Sequence, residues 1–263
     1  MISNLIDYSS HVQPFLMVFL RIGAMLMAIP VFSGQNVPAL LKIGFSLSVC
    51  VILYPHLNLP LAETEPEFVP FCIGIAGEIF IGLIMGLTVQ LAFCGIQLAG
   101  QLVGFQMGFA IANVMDPSGG DQIPILSQLV NLVAILVFFT INAHHWMLRA
   151  TVESFHLMPP MNFYYHTPIF DYLMHSAANM FVIAIKIGAP VIVVLILTSV
   201  SMGILARTVP QMHIFIVAMP VKIAIGLIFL MLSLPYMVSL LGQIFDGVAN
   251  SVMHILTIGS GIK

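Results

Sequence analysis

The sequence predicts an all-α protein of the integral membrane type, built from long, kinked, glycine-rich helical hairpins. Hydrophobic residues make up 60% of the 263 positions, and Asp, Glu, Lys and Arg together only 6%. Uncharged stretches cover 79–115, 122–148, 187–206 and 223–245. Each reaches the roughly 20 residues that a helix needs to cross a hydrocarbon core about 30 Å thick. A soluble protein carries about a quarter of its residues charged, so lipid or neighbouring apolar subunits are expected to cover most of this exterior.

A first helix is expected over 12–29, closed by Pro30 and the turn-rich SGQNVP at 33–38. The preceding MISNLIDYSSHVQPF carries Asp7 and no Lys or Arg before Arg21, a poor cleavable signal, so the first apolar segment is expected to stay in the chain. A second helix should run from about Ala39 to Tyr54 and stop at Pro55. Residues 58–70, with Glu63, Glu65, Glu67 and three prolines, read as an aqueous loop. From about Pro70 to Met115 there is room for two helices or one unusually long hairpin, before a break at Asp116-Pro117-Ser118-Gly119-Gly120-Asp121. Apolar residues resume from Ile123 to Met147, and a polar stretch follows from Glu153 to Pro168. The last segments run from about Tyr172 to Leu205 and from about Ile214 to Val248. Pro190, Pro220 and Pro235 are expected to kink or end their helices, with neighbouring groups taking up the released carbonyls. Basic residues are too few in the loops to set an orientation, which favours placement dictated by partners.

Gly100, Gly104 and Gly108 recur every fourth residue, and Gly82 with Gly86 repeats the spacing upstream. Residues four apart share a helix face, so these positions form a smooth groove for a second backbone, either within the chain or on another subunit. Gln90, Gln97, Gln101 and Gln106 lie among them and need partners, which points to a protein interior or an aqueous passage. Phe93, Phe105 and Phe109 with Met107 supply either bulky, deformable closure or ordinary core packing. Glu78, Lys186 and Lys222 are charges within or beside apolar segments and must pair, snorkel or line water. A pair between Glu78 and a lysine is one expectation; an ion relay would need more acids than one.

Several function classes drop out. The net charge is −3 and the seven basic residues are scattered, so no stripe exists to neutralise a run of phosphates, and nucleic acid is excluded as a partner. Cys50, Cys72 and Cys94 lack CxxC spacing, which argues against a disulfide framework or a structural zinc site. His144 and His145 are adjacent without an HExxH pattern, DPSGGD lacks the following GK[ST], and nothing resembles GxSxG. No enzyme activity, metal or cofactor is expected.

GEIFIGLIMGLTVQLAF at 77–93, AGQLVGFQMGFAIANVMDPSGGDQIPILSQ at 99–128 and ARTVPQMHIFIVAMPVKIAIGL at 206–227 resemble the flagellar biosynthetic protein FliR family. That family is homologous to the SctT proteins of virulence type III secretion. With PFLMVFLRIGAMLMAIPVF at 14–32, the resemblance covers nearly the whole chain, and QMGFAIANVMDP followed by QIPILSQ favours the flagellar branch.

The resemblance implies a non-enzymatic core subunit of a helical, multi-subunit export gate. Five FliP, four FliQ and one FliR-family chain would surround a protein-conducting pore, with FlhB and other export proteins nearby and unfolded export substrates as cargo. It implies the bacterial inner membrane at the flagellar basal body, in contact with lipid, with the complex displaced toward the periplasm. It also implies one domain over 1–263, with a P-like part at about 1–200 and a Q-like hairpin at 201–263. A plug within 105–121 would use Phe105, Met107 and Phe109 for closure and Gly108, Gly119 and Gly120 for mobility. Arg207, Pro210 and Gln211 would make structural or inter-subunit contacts; His213 stands where the family commonly has Asn. Beside the virulence homologue, the rivals are a self-contained small-molecule transporter, suggested by broken helices and by Glu78 and Lys222 but with only a faint repeat echo between IKIGAP and VKIAIG, and a scaffold that never touches cargo.

Overall fold

The computed structural model describes residues 2–33, 38–57, 68–109, 125–160, 168–208 and 214–259. Of the loop expected at 58–70, residues 58–67 lie outside them and 68–70 are helical; the break expected at 116–121 and the residues Gly119, Gly120, Pro210, Gln211 and His213 also lie outside. Among the described residues every regular element is helical. In chain order these are α1 (Ile2–Ala28), α2 (Pro30–Ser33), α3 (Ala39–Leu53), a 3-10 turn (Tyr54–His56), α4 (Phe68–Met107), α5 (Ile125–Thr140), α6 (Ala143–Leu157), α7 (Pro168–Thr208) and α8 (Ile214–Gly259).

Several segments differ from the sequence expectation, among them the first helix, expected over 12–29, which begins at Ile2. Within the stretch expected to form two helices or a hairpin from about Pro70 to Met115, Phe68–Met107 is one helix of 40 residues, and 110–115 lie outside the described residues. No proline interrupts it between Pro70 and Pro117, and its glycines sit where packing offsets their poor helix propensity of about 1 kcal/mol each. The apolar stretch at 123–147, expected as one segment, breaks at Asn142, whose φ of 56° and ψ of 32° are left-handed. Asparagine is one of the few residues that visits this region routinely. The next helix, α6, then carries Glu153 to within one turn of its end. Pro190, Pro220 and Pro235 lie inside α7 and α8 and end neither.

Segments Ala39–His56, Phe68–Met107, Ile169–Thr208 and Val217–Ile258 are each long and apolar enough to cross a membrane; α5 and α6 together meet the same test but are interrupted.

The chain divides into two compact units, each assembled from separated segments. The first comprises Met1–Leu91, Asn142–Ser176 and Gly247–Lys263; the second comprises Ala92–Ile141 and Ala177–Asp246. In the first, α3 packs on α1, the Cys50 thiol faces the Phe15 carbonyl at 3.8 Å, and Ile84, Ile169 and Ile255 form a buried cluster. Gly82 and Gly86 of α4 lie against α1 so closely that an added Cβ would overlap the Arg21 and Met25 carbonyls.

In the second unit the core is Val103, Met107, Leu126, Val191, Leu195 and Leu230. Beside it, the Phe93, Phe138 and Phe245 rings meet pairwise at centroid distances of 5.7, 5.3 and 5.3 Å, the tilted and edge-on range that aromatic quadrupoles favour. Gly95 is pressed against the Met180 carbonyl and Gly100 against the Ser127 backbone, with an added Cβ 2.7 and 2.6 Å from them.

Overpacking at such a contact costs about 1–3 kcal/mol. Gly100→Ala should therefore lower the thermal stability of the purified chain in detergent. Gly242→Ala, where nothing lies within 4 Å of the new atom, should be neutral or gain up to about 1 kcal/mol in the same melting experiment.

Candidate functional site

Two places concentrate the chemistry of this chain, one in each unit. In the first unit a guanidinium is enclosed completely: Arg21 of α1 has no exposed surface, and Glu78 of α4 is 2% exposed. Arg21 Nε donates to Glu78 Oε2 at 2.6 Å and Nη2 donates to Oε1 at 3.0 Å, a bidentate fork. Nη1 donates to the Ser154 carbonyl at 2.9 Å and the Ser154 hydroxyl at 3.0 Å, and Nη2 also reaches the Met158 carbonyl at 3.0 Å. A guanidinium carries five N–H donors, and these five bonds use them all. The Phe155 ring lies 4.1 Å from the guanidinium carbon, within cation–π range.

The end of α6 explains this placement. Ser154 lies in its last turn, where carbonyls have no intrahelical donor and the helix dipole is negative. The Ser154 carbonyl also receives the Met158 N–H at 2.9 Å. The Ser154 hydroxyl donates to the Thr151 carbonyl at 2.6 Å, and Thr151 Oγ1 lies 2.9 Å from Met25 Sδ on α1. One arginine thus ties α1, α4 and α6 together.

The expected lysine partner of Glu78 is replaced by Arg21. Lys186 is exposed and Lys222 half-buried on their own unit. Glu78 is neutralised by a permanent cation, which removes it as a lone relay acid. Sequence reasoning used Arg21 only to judge the signal peptide. The available clue was that Arg21 and Glu78 are opposite charges, each the single charge of an apolar stretch, 12–29 and 68–107.

The second place is the end of α4. Gly108 has φ +93°; its N–H donates to the Phe105 carbonyl and the Phe109 N–H to the Gly104 carbonyl, both at 3.1 Å. These two bonds are a Schellman stop, for which a left-handed glycine is suited. Gly108, expected to supply mobility, therefore terminates the helix. Phe105 is 53% exposed while Met107 is wholly buried. Met107 occupies the space that a side chain at Gly226 would need, with its Cε 2.6 Å from a Cβ built there. Phe109 packs on the same cluster as Met107. The three closure candidates thus split into two anchored residues and one outward-facing ring.

Nearby, Gln97 Nε2 donates to Asn131 Oδ1 at 3.1 Å, and the Ser127 hydroxyl donates to the Gln97 carbonyl at 2.9 Å. Gly104 meets only the Leu126 side chain, at an ordinary 3.7 Å. Arg207 is exposed in the last turn of α7. Among the described residues no group of three or more His, Cys, Asp or Glu is placed to hold a metal ion.

Arg21→Lys keeps the charge but loses the fork, and hydrogen bonds to charged groups contribute about 1.5–3 kcal/mol each. The variant should melt well below the parent chain. Gly108→Ala forces a Cβ into left-handed backbone at about 1–2 kcal/mol; hydrogen exchange of the amides at 105–109 should accelerate while that of the first unit is unchanged.

Comparison with known proteins identifies the family. The family model for bacterial export proteins, family 1, matches residues 12–248. The flagellar biosynthetic protein FliR of Bacillus subtilis (strain 168) is 34% identical over 247 residues, covering 93% of this chain and 95% of its own. FliR of Pectobacterium carotovorum subsp. carotovorum is 32% identical over 257 residues, 95% of each chain. FliR of Escherichia coli (strain K12) is 28% identical over 243 residues, 90% of each. Matched nearly end to end by both the family and its members, this chain belongs to bacterial export proteins, family 1, together with the flagellar FliR proteins.

Proposed function

We propose that this chain is a core structural and gating subunit of the flagellar protein-export channel, seated in the bacterial inner membrane at the flagellar basal body. It assembles with FliP and FliQ, one copy to five and four, beside FlhB, and the complex is displaced toward the periplasm. Unfolded export substrates are its cargo. The part at about 1–200 acts as a P-like element and 201–263 as a Q-like hairpin, with Arg207, Pro210 and Gln211 at a subunit contact.

One observation carries the assembly reading. Helices α4, α7 and α8 hold 40, 41 and 46 residues, which at about 1.5 Å per residue makes them about 60–70 Å long. A hydrocarbon core is only about 30 Å thick. Within the chain, just 33% of the most apolar window of α7 and 17% of that of α8 is buried. Lipid cannot cover twice its own thickness, so subunits with matching apolar faces cover the rest.

The gating reading rests on the stop at Gly108. It ends a rigid helix and delivers the chain into 110–121 from a fixed point, with Met107 and Phe109 anchored and Phe105 facing outward. A ring of such apolar side chains stops ions by dewetting without any fixed charge. In this reading cargo displaces the plug, a step to which Gly119 and Gly120, outside the described residues, are assigned, while the energy for transport comes from elsewhere in the apparatus.

Phe105→Ala should raise proton and ion leakage in cells that assemble the whole complex, because it removes outward bulk without opening the core. Unchanged leakage with normal assembly would overturn the closure role. A photo-crosslinker at Phe105 should capture export substrate during secretion; capture of partner subunits alone would favour the scaffold reading.

A further inference from the structure

Helix α3 differs from the other membrane-type helices in its length. With the 3-10 turn it covers Ala39–His56, 18 residues or about 27 Å, close to the thickness of one hydrocarbon core. Only 17% of this segment is buried within the chain, and Phe45, Leu47, Val51 and Ile52 face outward. Its two ends carry residue types that settle at bilayer surfaces, Lys42 in the first turn and Tyr54 at the far end. Where α4, α7 and α8 outrun a bilayer, α3 matches one.

Between α3, α1 and α4 lies a groove of about 380 Å³, lined in part by Gly23, Ala24 and Met27 of α1, Ile43 and Ser46 of α3 and Leu83 of α4. Small residues leave this gap. A Cβ built at Gly23 meets only the Ser46 hydroxyl, at 4.0 Å, whereas Gly82 and Gly86 are pressed onto α1. A glycine inside a helix costs about 1 kcal/mol relative to alanine, and at Gly23 no close approach offsets that cost; what the missing side chain leaves is room. The groove offers an occupant no hydroxyl to satisfy, because Ser46, its one polar side chain, already donates to the Lys42 carbonyl at 2.7 Å. An apolar cavity of about 150 Å³ is enough to stay dry and take up benzene, so hydrocarbon suits this larger one better than water does.

Lys42 selects the kind of hydrocarbon. It is the single charge of α3 and stands one turn before Ser46 on the same face. Side chains on a helix lean toward its N-terminus, which carries the ammonium away from the groove and toward the bilayer surface. We infer that the groove is a phospholipid site: one acyl chain lies along Gly23, Ala24 and Ser46, and an anionic headgroup meets Lys42. A partner helix would fill the space equally well, but the cation beyond its end and the bilayer-matched length of α3 favour lipid.

The test uses the full chain in phosphatidylcholine vesicles holding a minor share of phosphatidylglycerol with a diazirine in its acyl chain. After irradiation, adducts are mapped by mass spectrometry. Met27 and Leu83 should be labelled well above Ile52, which faces bulk lipid. Gly23→Leu fills the groove and should lower labelling of Met27 and Leu83 by about tenfold, with Ile52 unchanged. Its melting temperature in detergent should equal or exceed that of the parent, so lost labelling is not lost folding. With photoreactive phosphatidylcholine as the comparison, Lys42→Gln should cut the preference for phosphatidylglycerol by about fivefold, and Lys42→Arg should keep it. The inference is overturned if Met27 and Leu83 are labelled no more than Ile52, if Gly23→Leu leaves their labelling unchanged, or if Lys42→Gln retains the full headgroup preference. It is also overturned if a photo-crosslinker at Met27, in cells assembling the whole complex, captures a partner subunit or a second copy of this chain in place of lipid.

Discussion

Apolar helices about twice as long as a bilayer is thick need cover that lipid can supply along only part of their length. With 6% of residues charged, the chain has little ionic surface with which to meet water instead. Much of α3, α7 and α8 faces outward with side chains such as Leu40, Ile52, Ile185, Leu197, Met231 and Leu232. These faces are suited to other apolar surfaces, of lipid or of protein.

The same constraint governs how polar groups are handled inside the helices. Hydroxyls fold back onto the carbonyl four residues earlier, as Thr88 does on Ile84, Thr198 on Val194 and Ser199 on Leu195, at 2.8–2.9 Å. Such bonds satisfy a donor without any partner helix. Where polar groups do reach across, they specify: Gln97 with Asn131 in the second unit, and Arg21 with Glu78, Ser154 and Met158 in the first. An arginine that uses every donor costs less to bury than any looser arrangement, and it tolerates no displacement.

The glycine ladder shows how far spacing can be read. Four-residue spacing marks a helix face, and Gly82, Gly86 and Gly100 do lie against backbone. Gly104 and Gly108 share the spacing yet differ: one meets only a side chain, the other is the left-handed stop of its helix. Gly95 and Gly226, outside the ladder, receive the Met180 carbonyl and the Met107 thioether. Spacing encodes direction around one helix; what arrives from that direction belongs to another part of the chain. Likewise, Phe105 and Met107 read alike as bulky apolar residues, but two positions along a helix turn them apart, one outward and one into the core.

Composition, the lengths of uncharged stretches and the motifs at 77–93, 99–128 and 206–227 were enough to determine the helical, membrane-type class and the family. These properties are local or additive, so they survive in a one-dimensional string. Tertiary structure alone decided that 68–107 is a single helix, that Asn142 divides the next apolar stretch, and that Glu78 answers Arg21 from 57 positions further along the chain. Pairing of that kind depends on which faces meet after folding, and a buried charge declares its partner only when the low-dielectric interior leaves it no other.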